Sequence, residues 1–256
     1  MTIETHLDAR GVLTLTLARP DVHNAMNAEM MDAITGAVRA ITPGEVRVLV
    51  LAASGKSFCA GGDLGWMRAQ FEASDAGRRA EAQRLADMFH ALHLTDVPVI
   101  ARIQGNAFGG GVGLACLADV AIGAEGALLG LTETRLGLIP ATIGPYVAAK
   151  MGSRLTEVFM SSRRFGAEEA VRLGILARVV PADGLDAAID AEVAPYLSCA
   201  PGAVAETKAL ARALRPPIDA ALIAHTMDAL IARWRSEEAA EGIGAFFEKR
   251  TPPWVS

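Results

Sequence analysis

A chain of 256 residues with 52% hydrophobic side chains has ample material for a buried core, as one large domain or as a domain with an extension. Its 24 Lys and Arg are outweighed by 29 Asp and Glu, and a formal charge of −5 excludes a general attraction to nucleic acid or to an anionic membrane. Cys59, Cys116 and Cys199 are too few and too scattered for a disulfide framework or a zinc knuckle, and they read as reduced thiols. The sequence opens without a basic stretch followed by an apolar run, and no later segment reaches a spanning length of apolar residues. The expected location is therefore cytoplasmic, with no membrane partner.

Ile3 to Leu7 and Val12 to Leu17 alternate apolar and polar residues about Asp8-Ala9-Arg10-Gly11, which predicts a hairpin. Asn27 is placed to cap a helix that runs to about Ile41. Val46 to Ala52 and Val97 to Ile103 are short β-rich runs of the kind that pack in a sheet covered by helices. Between them, from about Leu64 to Leu94, lies a long, alanine-rich, helix-compatible stretch. Val120 to Leu131 gives one or two short strands and Ile175 to Val180 another, so the core is α/β. After Ala187 the spacing of Leu197, Leu210, Leu222 and Leu230 is helical, interrupted by Pro201, Pro216 and Pro217, and predicts a helical C-terminal subdomain. Strand, loop and helix recur through the first two-thirds, as a spiral of similar units would require.

Two glycine-rich loops each follow an apolar run: Phe58-Cys59-Ala60-Gly61-Gly62-Asp63 and Phe108-Gly109-Gly110-Gly111-Val112-Gly113. Glycine lets a ligand approach main-chain N–H groups closely, and both loops lead into helical sequence, whose N-terminus carries partial positive charge. Together they read as two halves of a hole for an oxygen that gains negative charge during a reaction. Taken alone, the second loop reads as tight packing of a helix against a strand. Gly111-Val112-Gly113 followed by Glu133 imitates a dinucleotide fingerprint, but the third glycine is Cys116 and Asn106-Ala107-Phe108 separates strand from loop. Gly55-Lys56-Ser57 resembles the end of a phosphate loop, but the required earlier glycine is Val50.

Cys59 has no basic neighbour in sequence to lower its pKa and reads as a small packing residue. His90 and His93 lie one helical turn apart without a third ligand, so no metal site is expected. Glu133 is the only acidic residue between Gly126 and Thr156. Desolvation in that apolar run would raise its pKa toward neutrality and suit it to acid/base work, whereas a water-facing carboxylate paired with Arg135 is the alternative. Trp66 and Met67 are candidates to line a ligand pocket, but Met and Trp at helical spacing are more often core, and they are left out of the site.

Arg19-Pro20-Asp21-Val22-His23-Asn24-Ala25, the two glycine loops, Thr132 to Pro140 and Phe247-Glu248-Lys249-Arg250 resemble the enoyl-CoA hydratase/isomerase (crotonase) family, in the family's order and over nearly the whole chain. The resemblance implies a ClpP/crotonase-like α/β spiral of ββα units. Residues 1–190 would form the catalytic, CoA-binding core and 191–256 an α-helical subdomain that builds trimers or hexamers. It implies an acyl-CoA substrate, with coenzyme A part of that substrate and no separate cofactor. The N–H groups of Gly62 and Gly110 would form the oxyanion hole and Glu133 would carry protons. Val22, His23, Ala25, Ala60, Asp63 and Leu64 would lie along the pantetheine and adenine, and Lys249 of a neighbouring subunit and Lys56 would meet CoA phosphates.

The second catalytic glutamate of the best-known hydratases is Gly113 here, which leaves one acid to serve hydration or Δ3,Δ2 isomerisation, or a binding protein without turnover. Leu136 to Tyr146 and Phe246 to Trp254 resemble the bacterial 3-methylglutaconyl-CoA hydratase branch. On that reading Gly113 leaves room beside a branched acyl chain, and Arg68 or Arg135 partners a distal carboxylate.

Overall fold

Alternating apolar residues pair β1 (Ile3–Leu7) with β2 (Val12–Leu17) antiparallel, Ile3 opposite Leu17, in a computed structural model that describes residues 1–255. Asp8 closes the turn by accepting from the backbone N–H groups of Arg10 and Val12, each at 2.9 Å. Asn27 caps α1 (Ala28–Arg39), its side chain accepting from Met30 N at 3.0 Å, and the helix buries Met30, Met31, Ile34 and Val38 along one face.

The strands that follow are β3 (Val48–Ala53), β4 (Ser57–Cys59), β5 (Val99–Ile103), β6 (Asn106–Phe108), β7 (Val120–Ala124), β8 (Leu128–Gly130), β9 (Arg164–Gly166) and β10 (Arg178–Val180). They form a six-stranded sheet in the order β1-β2-β3-β5-β7-β10 and a four-stranded sheet in the order β4-β6-β8-β9. Parallel pairing runs from β2 to β10 in the first sheet and from β4 to β8 in the second. The chain therefore steps from one sheet to the other at β3 to β4, β5 to β6 and β7 to β8. It returns through α2 (Leu64–Glu72) and α3 (Asp75–Leu94) after the first step and through α4 (Gly110–Leu117) after the second. A 3₁₀ turn (Glu133–Leu136), α5 (Gly144–Met151) and α6 (Ala167–Arg172) follow the third. This is the expected spiral, and β3, buried along its whole length, is its centre.

The expected single stretch from Leu64 to Leu94 breaks at Ala73-Ser74. Ser74 is extended and its Oγ accepts from Gly77 N at 3.2 Å, which starts α3 afresh. In the expected strand Ile175–Val180 only Arg178–Val180 pairs, while Ile175 and Leu176 are buried in the core from a loop. Four helices close the chain: α7 (Leu185–Leu197), α8 (Pro201–Ala213), α9 (Ala220–Trp234) and α10 (Glu237–Phe247). Pro201 starts α8 rather than interrupting a helix, because a missing N–H costs nothing in the first turn. Residue 190 falls inside α7, whose Leu185, Ile189 and Val193 bury against Val48, Ile100 and Ile122 of the large sheet.

Candidate active site

The two glycine loops touch. Gly61 and Gly109 both have positive φ, at 92° and 50°, which aims the two turns at one another. A Cβ on Gly61 would stand 3.2 Å from Phe108 O and 3.8 Å from Gly110 N. The first loop is fixed from the other side by the segment around Met26, whose N–H donates to Gly61 O at 2.8 Å and whose carbonyl accepts from Asp63 N at 2.9 Å. These bonds straddle Gly62 and leave its own N–H out of the pairing. Gly110 is the first residue of α4, where no intrahelical acceptor exists for the N–H.

Glu133 meets these donors from the turn after β8. It lines a cavity of about 100 Å³ together with Gly62 and Gly110. Its Oε2 is buried without a hydrogen-bond partner, and Oε1 lies 2.9 Å from where a Cβ on Gly109 would stand. Burial, only weakly opposed by a backbone hydrogen bond, pushes the carboxyl from 4.5 up to about 7. The alternative of a water-facing carboxylate paired with Arg135 does not hold. Arg135 is exposed and lines a separate surface cavity with Thr134, Ser162 and Trp254. The rest of the wall is Met26, Met31, Trp66, Met67, Leu85, Leu138 and the run Ile139 to Ile143, closed by Leu230 and Trp234 of α9. Trp66 and Met67, read as core from sequence, thus belong to the site, and so do two residues of the C-terminal helices.

The residues expected along coenzyme A fall beside the hole. Ala60 N donates to His23 O at 3.0 Å, which brings the Val22–Ala25 segment against the Ala60–Asp63 loop. Buried Asn24 holds this arrangement. Its Oδ1 accepts from Arg19 N and its Nδ2 donates to the carbonyls of Ser54 and Ser57, at 2.8, 2.8 and 2.9 Å. Val22, His23, Ala60 and Leu64 are exposed on this surface, and Ala25 is buried beneath it. The Asp63 side chain caps α2 by accepting from Gly65 N and Trp66 N and is ion-paired with Arg19 at 3.0 Å. Lys56 and Lys249 are exposed, the latter in the turn that ends α10.

Gly113 corrects the sequence reading. It does not line the cavity, and no room is left beside it, because a Cβ would stand 2.6 Å from Ile143 Cγ2 and 3.0 Å from Phe89 Cε1. Hydrocarbon fills the place of the missing acid. Restoring the acid with Gly113→Glu therefore fails to create a two-carboxylate enzyme and lowers stability by about 1–3 kcal/mol through overpacking, which urea unfolding and turnover assays measure.

Arg68 does not line the cavity either; its guanidinium lies over the Phe247 ring, 4.2 Å from the centroid. Burial pushes the Cys59 thiol up to about 12, the wrong direction for a nucleophile, and its Sγ supports the turn by accepting from Gly61 N at 3.4 Å. The His90 and His93 rings lie tilted 6.4 Å apart, and His93 lies edge-on to Tyr146 at 5.5 Å. Among the described residues no three His, Cys, Asp or Glu side chains come together as a metal site, and no helix is long and apolar enough to cross a membrane.

A spiral that sets two free backbone N–H groups beside one desolvated carboxylate can stabilise an oxyanion while moving a proton. A family model described as enoyl-CoA hydratase/isomerase matches residues 8–256. A Rhodobacter capsulatus protein named "Probable enoyl-CoA hydratase" is 35% identical over 253 residues, covering 95% of this chain and 94% of its own. A carnitinyl-CoA dehydratase of Salmonella typhi is 35% identical over 271 residues, covering 99% of each chain. The crystal structure of an enoyl-CoA hydratase from Mycobacterium smegmatis superimposes with a TM-score of 0.80 at 34% identity, covering both chains fully. The chain belongs to the enoyl-CoA hydratase/isomerase family, and its fold is the crotonase spiral.

Proposed function

We propose that this enzyme is an acyl-CoA hydratase that adds water across the double bond of a short, branched α,β-unsaturated thioester. One observation carries the reading: a desolvated carboxylate with one unpartnered oxygen and two free N–H donors line a single small cavity. As a water oxygen bonds to Cβ, the π electrons move onto the thioester oxygen, where the Gly62 and Gly110 N–H groups stabilise the enolate. One such donor is worth about 3 kcal/mol of the barrier. Glu133 takes the proton of the attacking water and returns it to Cα, so one carboxylate balances the reaction. The absence of an acid at Gly113 also favours a second reading, Δ3,Δ2 isomerisation, in which the same carboxylate carries a proton from Cα to Cγ.

The surface formed by exposed Val22, His23, Ala60 and Leu64, with Ala25 beneath it and Asp63 beside it, would carry the pantetheine and adenine, and Lys56 and Lys249 would meet phosphates in a trimer or a dimer of trimers. Coenzyme A enters as part of the substrate. The finer substrate, 3-methylglutaconyl-CoA or a close carboxylated relative, rests on the Leu136–Tyr146 and Phe246–Trp254 stretches. No side chain lining the cavity is cationic, so a distal carboxylate would have to reach out of it, and Arg68, on the same helix as the lining residues Trp66 and Met67, is the partner we favour over Arg135. Arg68→Ala then lowers kcat/KM for 3-methylglutaconyl-CoA about tenfold or more and leaves crotonyl-CoA unchanged. An equal effect on both thioesters, or none, refutes the carboxylate pairing.

The hydratase reading is tested by assaying 3-methylglutaconyl-CoA, crotonyl-CoA and a 3-enoyl-CoA in parallel, with products identified by mass. Hydration of the first two supports it. Conjugated product from the 3-enoyl ester alone moves the assignment to isomerase, and silence on all three leaves an acyl-CoA-binding protein.

A further inference from the structure

Resting on the hydratase reading, we propose that the Thr142 hydroxyl holds the reacting water opposite Glu133 and aims its lone pair at Cβ. Thr142 is 6% exposed, lines the Glu133 cavity, and its Oγ1 is buried without a hydrogen-bond partner. Buried hydroxyls nearly always have a partner. Two orphaned polar groups in one apolar cavity mark the place of a polar guest that touches both. Of the two indoles in the wall, Trp66 is already committed, since its Nε1 donates to Glu81 Oε2 at 2.7 Å. Apart from Trp234, whose indole N–H can donate but not accept, every other lining side chain is hydrocarbon, thioether or glycine.

A held water needs two to four polar partners, and its share of liquid volume is about 30 Å³. The cavity of about 100 Å³ has space for it next to the Cα=Cβ unit. One O–H of the water donates to Glu133 Oε2 and the other to Thr142 Oγ1, which leaves a lone pair for Cβ. As the C–O bond forms, the first O–H bond breaks toward Glu133 and the π pair moves to the thioester oxygen. The enolate then collapses, taking that proton at Cα. Thr142 gains and loses nothing; it orients.

Its neighbour Ile143 fills the space beside Gly113. The pair Thr142-Ile143 thus replaces a second acid with a packed hydrocarbon and a hydroxyl.

The test compares wild type, Thr142→Val and Thr142→Ser in two assays: steady-state hydration of crotonyl-CoA, and solvent deuterium exchange at Cα of butyryl-CoA. The exchange needs Glu133 and the N–H hole but no attacking water. Thr142→Val lowers hydration kcat about 10- to 100-fold, with KM and Cα exchange within about twofold of wild type, and Thr142→Ser restores hydration. Undiminished hydration by Thr142→Val overturns the proposal, as does a parallel loss of exchange, which marks a structural role. A wild type that exchanges Cα hydrogen but hydrates no thioester overturns the hydratase reading and this proposal together, whereas a hydrating wild type beside an active Thr142→Val overturns this proposal alone.

Discussion

Glu133→Gln lowers turnover about 10²- to 10⁴-fold, the range a positioned acid/base supplies, and leaves thioester affinity within about threefold because the amide keeps the shape of the carboxyl. In the wild type the carboxyl has been pushed up to about 7 by burial, so hydration rises with pH through that value as the base form accumulates. The residual activity of the amide variant lacks this limb.

Stability moves the opposite way. The folded-state pKa lies above its ordinary value of 4.5, so the native chain binds more proton than the unfolded chain between 4.5 and about 7, and raising the pH through this window weakens the fold. Glu133→Gln removes that burden. Its stability relative to wild type should be greater at pH 8 than at pH 5, by at most about 3 kcal/mol. Urea unfolding at the two pH values measures the difference, and an equal offset at both shows that burial does not burden Glu133.

Gly111→Ala separates the two glycine loops proposed to form the oxyanion hole. The new Cβ would run into the Cys59 carbonyl oxygen and stand 3.0 Å from Cys59 Cβ, and a backbone obstacle cannot swing aside as a side chain does. The loops must part, at a cost of about 1–3 kcal/mol in stability. Loss of the alignment between Gly62 and Gly110 costs about 10²- to 10³-fold in kcat, the effect of removing one oxyanion donor. Both are measurable on one purified variant. A Gly111→Ala enzyme with wild-type kcat shows that the close approach of the loops does not set the hole.

What could be seen in the sequence was whatever local chemistry dictates. Asp8 and Gly11 specify the hairpin, Asn27 the cap of α1, and the paired glycine runs the two loops; the structure places each of these as expected. Glu133 stood out because an acid in an apolar run is a local anomaly. Ser74-Asp75-Ala76-Gly77 carried a cap signal for α3 that the alanine-rich helical pattern concealed. Other features depend on what lies across the cavity. Gly113 looked like space until Ile143 and Phe89 were found to fill it. Trp66, Met67, Leu230 and Trp234 have the spacing of any helical core residue, and only tertiary packing assigns them to the site. Thr142 carries no signal of its own; its meaning comes from having no partner in the fold.

The turn that bears Glu133 is seated on the last helices of the chain. Arg233 donates through Nε and Nη2 to Gly137 O at 3.0 and 2.6 Å, and Gly242 packs so closely on Leu136 that a Cβ there would stand 2.6 Å from its carbonyl carbon. About a hundred residues separate the turn from this support, so the contact forms late, after a long loop has been closed. On the ribosome, where domains fold as they emerge, the spiral can assemble while α9 and α10 are still inside the exit tunnel. Glu133 acquires its fixed position only once α9 and α10 have emerged and docked.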